Sequence, residues 1–228
     1  MITRPVVASA VLMGLLAAPA AAQQPPALAP LKPCYVSAGE AEDRREGVTV
    51  SATGFTPMAA VEIYVDGVVA VTGQADVVGN VNATVKAPYQ VAGEREFGVT
   101  VVEVGNPAKT VGALTRVTTL GVSLRPREAR SSQKVRFRGR GFTADASVWA
   151  HYVYRNRVRK TVRLARRPAG PCGTFAVRRR QIPIKRPRTG QWTLQVDQQR
   201  RYTQQPTTNW VRLAITLREV FDNPDRRR

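Results

Sequence analysis

Apolar and polar residues alternate one by one along most of the chain. Val48, Val50 and Ala52 are separated by single polar residues. Trp192, Leu194 and Val196 repeat the pattern, as do Val211, Leu213, Ile215 and Leu217. Successive side chains of a strand point to opposite faces, so a period of two predicts half-buried β-strands. No stretch sustains the spacing of an amphipathic helix. Asp66-Gly67 lies between Tyr64-Val65 and Val68-Val69, and the pair predicts a two-residue hairpin turn. Arg155-Asn156 holds the matching place further along.

The pattern occurs twice. Val48-Thr-Val50-Ser-Ala-Thr-Gly54-Phe55-Thr56 aligns without gaps with Val135-Arg-Phe137-Arg-Gly-Arg-Gly141-Phe142-Thr143. Gly79-Asn-Val81 then matches Gly173-Thr-Phe175, and Phe97-Gly-Val99 matches Trp192-Thr-Leu194. A repeat of this length is a structural unit in itself. The expected fold is therefore all-β, with two tandem antiparallel β-sandwiches. Residues 34–120 form the first and residues 121–220 the second, with the boundary near Leu120 to Arg125. In each unit Gly54 or Gly141 supplies a positive φ, so that Phe55 or Phe142 drops into the core.

Strand-Gly-Phe-Thr-Pro, a following strand with Asp66-Gly67, then Ala75-Asp76-x-x-Gly79 and an alternating strand resemble the bacterial immunoglobulin-like modules, IPT/TIG-type domains included, of secreted and surface proteins. The resemblance implies an immunoglobulin-like fold and a spacer, adhesive or carbohydrate-associated role. It implies no shared catalytic residues. The second unit departs from the pattern, lacking Ala-Asp before Gly173.

The first residues predict export. Arg4, an apolar run from Val6 to Ala18, Pro19 and Ala20-Ala21-Ala22 have the three-part layout of a signal peptide spanning 1–22. The run is short for a membrane span, no lipoprotein cysteine follows it, and the C-terminus carries no hydrophobic tail. The expected location is secreted or extracytoplasmic, with cell-surface association through noncovalent contacts. Residues 23–33, rich in Pro and Ala, read as an extended tether, and 221–228 as a basic tail. The two cysteines, Cys34 and Cys172, allow one pairing. Export permits a disulfide; the alternative is two unpaired thiols, because sequence does not supply the Cα separation.

Charge divides the two units. Residues 23–120 hold seven Lys and Arg against ten Asp and Glu; residues 121–228 hold twenty-seven against six. Alternation places Arg136, Arg138 and Arg140 opposite Val135 and Phe137. It likewise places Arg157, Arg159 and Arg163 opposite Val158, Val162 and Leu164, with Arg178 and Arg180 at another strand end. These eight arginines are the candidate polyanion-binding residues, since guanidinium groups bind phosphate or carboxylate bidentately. Export makes intracellular nucleic acid an unexpected partner. Anionic cell-wall polymer, acidic polysaccharide or an anionic lipid surface remain, and also a surface protein. The bland alternative is a solvated face.

No catalytic or metal site is expected, and no cofactor. His151 is the only histidine, and no Gly-x-Ser-x-Gly elbow occurs. His151 is expected at the surface or in packing, without catalytic partners; Trp149, Tyr152 and Tyr154 lie among the basic strands and are expected in the core, the alternative being stacking on sugars or bases. The sequence thus points to a secreted noncatalytic binding protein whose basic C-terminal domain docks on anionic extracellular polymers or cell envelope. The competing reading is a structural spacer or subunit of a surface assembly with protein–protein contacts only.

Overall fold

A computed structural model describes residues 24–218. The expected signal peptide (1–22) and basic tail (221–228) lie outside the described residues. Within them the regular structure is β, apart from one short 3-10 turn at Glu42–Arg44.

The N-terminal half contains β1 (Ala27–Leu28), β2 (Tyr35–Ser37), β3 (Gly47–Thr53), β4 (Ala60–Val65), β5 (Val68–Gln74), β6 (Val81–Lys86), β7 (Glu94–Glu103) and β8 (Asn106–Thr119). They form two sheets, ordered β1-β3-β6 and β2-β8-β7-β4-β5. The alternating apolar residues of both sheets meet in one core: Val48 and Val50 from β3, Val61 and Ile63 from β4, Phe97 and Val99 from β7. Every pairing in this half is antiparallel except β2 with β8, which is parallel.

The C-terminal half contains β9 (Gly121–Arg125), β10 (Lys134–Arg140), β11 (Val148–Tyr154), β12 (Arg157–Ala165), β13 (Phe175–Arg180), β14 (Gly190–Asp197) and β15 (Val211–Leu217). Its sheets are ordered β13-β10-β9 and β12-β11-β14-β15 and enclose a second core around Phe137, Phe142, Tyr152, Trp192 and Leu194. Only Leu120 separates the last strand of the first half from the first strand of the second.

The repeated glycines have a common physical reason. Gly79 takes φ +83°, and a Cβ there would lie 2.2 Å from the carbonyl oxygen of Phe55; at Gly173, φ is +59° and the distance to the Phe142 carbonyl oxygen would be 2.0 Å. The close approach allows Phe55 N–H to donate to Gly79 O, and Phe142 N–H to Gly173 O. A side chain at either glycine would both clash and sit in strained backbone. In the first half the Asp76 carboxylate shapes the turn by accepting from the Val78 and Asn80 amides. In the second half no aspartate does this. Instead Cys172 stands beside Gly173, bonded through a disulfide to Cys34 with the Cα atoms 5.1 Å apart. The bridge ties the chain just before β2 to the loop before β13, and so joins the two halves.

One expectation is corrected. Part of the stretch read as a tether belongs to the fold: Ala27 and Leu28 pair with Thr53 and Ala52, and Leu28 and Leu31 pack against the first core. Two leucines within a proline-rich stretch suffice to dock it, because proline already holds the chain extended.

Candidate anion-binding face

The outer face of the sheet β13-β10-β9 is built of cations. Residues of β10 alternate between buried and exposed, so Val135 and Phe137 enter the core while Lys134, Arg136, Arg138 and Arg140 face solvent. The strand pairing then sets Arg136 directly opposite Arg178 on one side and Arg125 on the other. Three guanidinium groups therefore lie in one row across three strands, at steps of about 5 Å. Lys134 is opposite Arg180 in the next row. Arg138 lies between Ser123 and Ala176, and Arg140 opposite Gly121.

Like charges directly opposite each other weaken a sheet, and counter-ions are the usual remedy. Here none is supplied: among the described residues, no carboxylate forms an ion pair with any of the eight candidate arginines. In the N-terminal half the opposite holds. Arg45 pairs with Glu42, Arg95 with Asp66, and Arg116 with Glu94 and Glu96.

Arg157, Arg159 and Arg163 lie on β12, an edge strand of the other sheet that runs beside β13. The structure corrects their facing. A register shift falls where Tyr152 pairs with Lys160 but Val153 with Val158. It leaves Arg159 without an opposite residue and reverses the alternation beyond it. Arg163 is opposite Trp149 on the outer face, whereas Arg157 is opposite Tyr154, a core residue. Val158 is displaced outward and 39% exposed. A bulge inserts one extra residue and so breaks the period of two. The candidate arginines thus fall into two groups: Arg136, Arg138, Arg140, Arg178 and Arg180 on one sheet, and the β12 arginines along the neighbouring edge.

The aromatic residues separate in the same way. Tyr152 and Tyr154 are in the core, and burial holds the Tyr152 phenol well above its ordinary pKa. Trp149, expected in the core, is half-buried on the outer face. Arg163 and Arg200 approach its ring, each with Cζ 5.9 Å from the ring centre. Arginine on an aromatic face is a stabilising contact.

His151 does have partners. Its ring is fully buried, with Nδ1 3.0 Å from Thr161 Oγ1 and Nε2 3.0 Å from the Gln199 carbonyl oxygen and 3.3 Å from Asp197 Oδ1. A carbonyl only accepts, so Nε2 carries a proton. Gln195 Nε2 donates to Asp197 Oδ2 at 2.8 Å and to Thr203 O, and Arg212 Nε donates to Gln195 Oε1. Burial is the largest influence on Asp197 and pushes its pKa up. The hydrogen bonds from His151, Gln195 and the Gln199 amide together outweigh it, and the carboxyl sits below its ordinary value. Thr161, His151 and Asp197 stand in the order of a hydrolase triad, but the ring and the carboxylate are both sealed from solvent and line neither the cleft between β9 and β15 nor the one beside Lys32. Their work is mechanical: they hold the segment 198–210 across the outer face of β11 and β14. Gln198 assists by bonding Ala144 and Ala146. Polar residues on an outer strand face are ordinary, so nothing in the sequence distinguishes His151, Gln195 and Asp197 as a cluster. Arg125, which is not among the eight candidates, is by contrast readable from its alternation with Leu124 and belongs to the basic row.

No known protein family and no curated protein matches the chain. Solved structures overlap it loosely. A Ca2+-stabilized adhesin with which an Antarctic bacterium binds ice is 13% identical, covering 85% of this chain and 48% of that one, at a TM-score of 0.34. A bacterial ice-binding adhesin is 15% identical, with 86% and 64% covered, at 0.31. A β-glucuronidase from Parabacteroides merdae is 13% identical, with 81% and 23% covered, at 0.26. The chain spans about a quarter of the glucuronidase and half of the first adhesin. At such scores the overlaps lend no weight to any functional reading.

Proposed function

We propose that the chain is an exported, noncatalytic binding protein of two immunoglobulin-like modules, whose basic C-terminal module docks on an anionic polymer of the cell envelope. One observation carries this reading: the row Arg125–Arg136–Arg178, set in register and, among the described residues, with no carboxylate in ion-pair contact. A polyanion laid across the sheet would supply the missing counter-charge, and its affinity would come from phosphate or carboxylate groups bound by several guanidinium forks. The disulfide supports the extracytoplasmic part, since such bonds persist in oxidising compartments. The N-terminal module, with four of its seven cations ion-paired, serves as the spacer.

The test uses the full mature chain and long-chain polyphosphate as probe. Binding should weaken steeply with salt, and Arg136→Gln with Arg178→Gln should flatten the dependence of log K on log salt by about one for each contact removed. A folded variant with unchanged, salt-insensitive binding would replace this reading with that of a structural spacer held by protein contacts.

A further inference from the structure

The two halves differ at one edge. In the N-terminal half the chain leaves β1, passes Lys32, whose carbonyl accepts from the Thr115 hydroxyl, and forms β2 parallel to β8. It thereby crosses from one sheet to the other and closes the side of the sandwich. In the C-terminal half the chain leaving β9 does not cross. Gln133 N–H turns back to Arg130 O, and the Gln181 and Ile182 amides donate to Gln133 O and Ser131 O. The segment stays bound near the end of β13. Among the described residues, β9 and β15 are each left with one strand neighbour. Between them opens a cleft of about 1080 Å³, against about 200 Å³ beside the crossing segment of the first half.

The cleft has three properties of a strand-binding site. Its apolar lining includes Val122, Leu124, Leu213 and Ile215. Gln181, only 5% exposed, lines it, and among the described residues its Oε1 has no hydrogen-bond partner. A buried acceptor without a donor is uncommon in a folded protein and marks a place where a donor is missing. The charged lining is Arg125, Arg127, Arg130 and Arg218 against the single Glu128. Free strand edges flanking an apolar cleft are what an extended peptide adds to, with backbone bonds for affinity and alternate side chains for specificity.

We propose that this cleft accepts an extended segment of another protein, alternating apolar and acidic residues, which adds as a strand to the free edge of β15 and donates a backbone N–H to Gln181. The site shares Arg125 with the basic row but otherwise involves different residues from the Arg136–Arg178 face, and it does not depend on polyanion binding there.

The experiment titrates the full mature chain with a blocked seven-residue peptide alternating glutamate and valine, matching the length of β15. Two controls replace glutamate by lysine, or place proline at the centre. Hydrogen exchange is read at β9 and β15. The glutamate peptide should bind and slow exchange at both strands, and neither control should. Arg127→Glu with Arg130→Glu should weaken the glutamate peptide by about tenfold or more and leave polyphosphate binding at the other face in place. Gln181→Leu should weaken the peptide while the thermal midpoint stays or rises. Equal binding of the lysine or proline peptide would overturn the proposal. So would β15 amides already protected without peptide, with sedimentation showing whether a second copy or the chain's own terminus covers the edge. If the charge-reversed pair loses polyphosphate and keeps the peptide, the cleft is part of the polyanion surface and the proposal also falls.

Discussion

In the N-terminal half Arg45, Arg95 and Arg116 each reach a carboxylate, and Lys32 reaches Glu46. In the C-terminal half Arg167, contacting Asp145, is the one Lys or Arg ion-paired among the described residues. The strand plan is shared, and so are the Gly-Phe turns and the glycines that close on them. A surface left unneutralised on only one of two similar frames is therefore not dictated by the frame. The same holds for the edges: the first half spends Tyr35–Ser37 on closing its side, while the second binds the corresponding segment elsewhere and, among the described residues, leaves β15 with one strand neighbour. Among the described residues, four of the seven Lys and Arg of the first half are ion-paired, and one of the second half.

The disulfide is where this comparison breaks most visibly. It closes a separation of 138 residues that runs through both cores, and in the chain-entropy model its loss costs about 5 kcal/mol. Cys34→Ser with Cys172→Ser should separate a single thermal transition into two, one for each half, measured by calorimetry. A single unshifted transition would mean that the halves are coupled by other contacts.

Next come the paired glycines. Gly79→Ala and Gly173→Ala each force a Cβ against a phenylalanine carbonyl in backbone of positive φ, at a cost of about 1–3 kcal/mol each. The fall in midpoint should be confined to the half that carries the change, visible in the Cys-free protein. Equal effects on both halves would reject their independence.

Replacing arginines is expected to act on binding and not on folding. Arg136→Gln should leave stability unchanged or slightly raised, because it relieves repulsion within the row, whereas Arg116→Gln removes contacts to Glu94 and Glu96 and should lower it by up to about 1 kcal/mol. Denaturant midpoints of the two variants give the answer.

The smallest effect expected is on acid stability. Glu103 Oε2 accepts the Thr56 amide in the first half, and Gln198 Oε1 accepts the Ala144 amide at the corresponding place in the second. Burial, the largest influence, raises the Glu103 pKa, but the bonds from Thr56 and Asn106 hold it below its ordinary value of 4.5. A carboxylate depressed in the folded state stabilises fully above its unfolded pKa and loses that contribution as pH falls through the folded one. The tie should therefore weaken below about pH 4.5, and Glu103→Gln should remove that part of the acid sensitivity. Gln198 does not titrate, but Asp197 beside it does, with its pKa held below 3.8. Asp197→Asn should accordingly flatten the acid limb of the second half below about pH 3.8. Melting midpoints between pH 2 and 6 would show both.

Period-two alternation and the Asp66-Gly67 pair were enough to read an all-β chain, because each depends on neighbours within a few residues. The outward placement of Arg136, Arg138 and Arg140 was legible for the same reason: a regular strand leaves no choice of face. Arg157 was misread because one extra residue near Arg159 reverses the face of everything beyond it, and only the partner strand β11 shows where that residue falls. The pairing of Cys34 with Cys172, the burial of His151 against Asp197, and the row that brings Arg125 beside Arg136 and Arg178 all join residues far apart in the chain. Composition and spacing determined which residues carry charge and which alternate; register between strands decided which charges meet. The open edge of β15 lay furthest from the sequence, since it follows from where the segment after β9 finds its hydrogen bonds, and those partners, Gln181 and Ile182, belong to the far side of the same sheet.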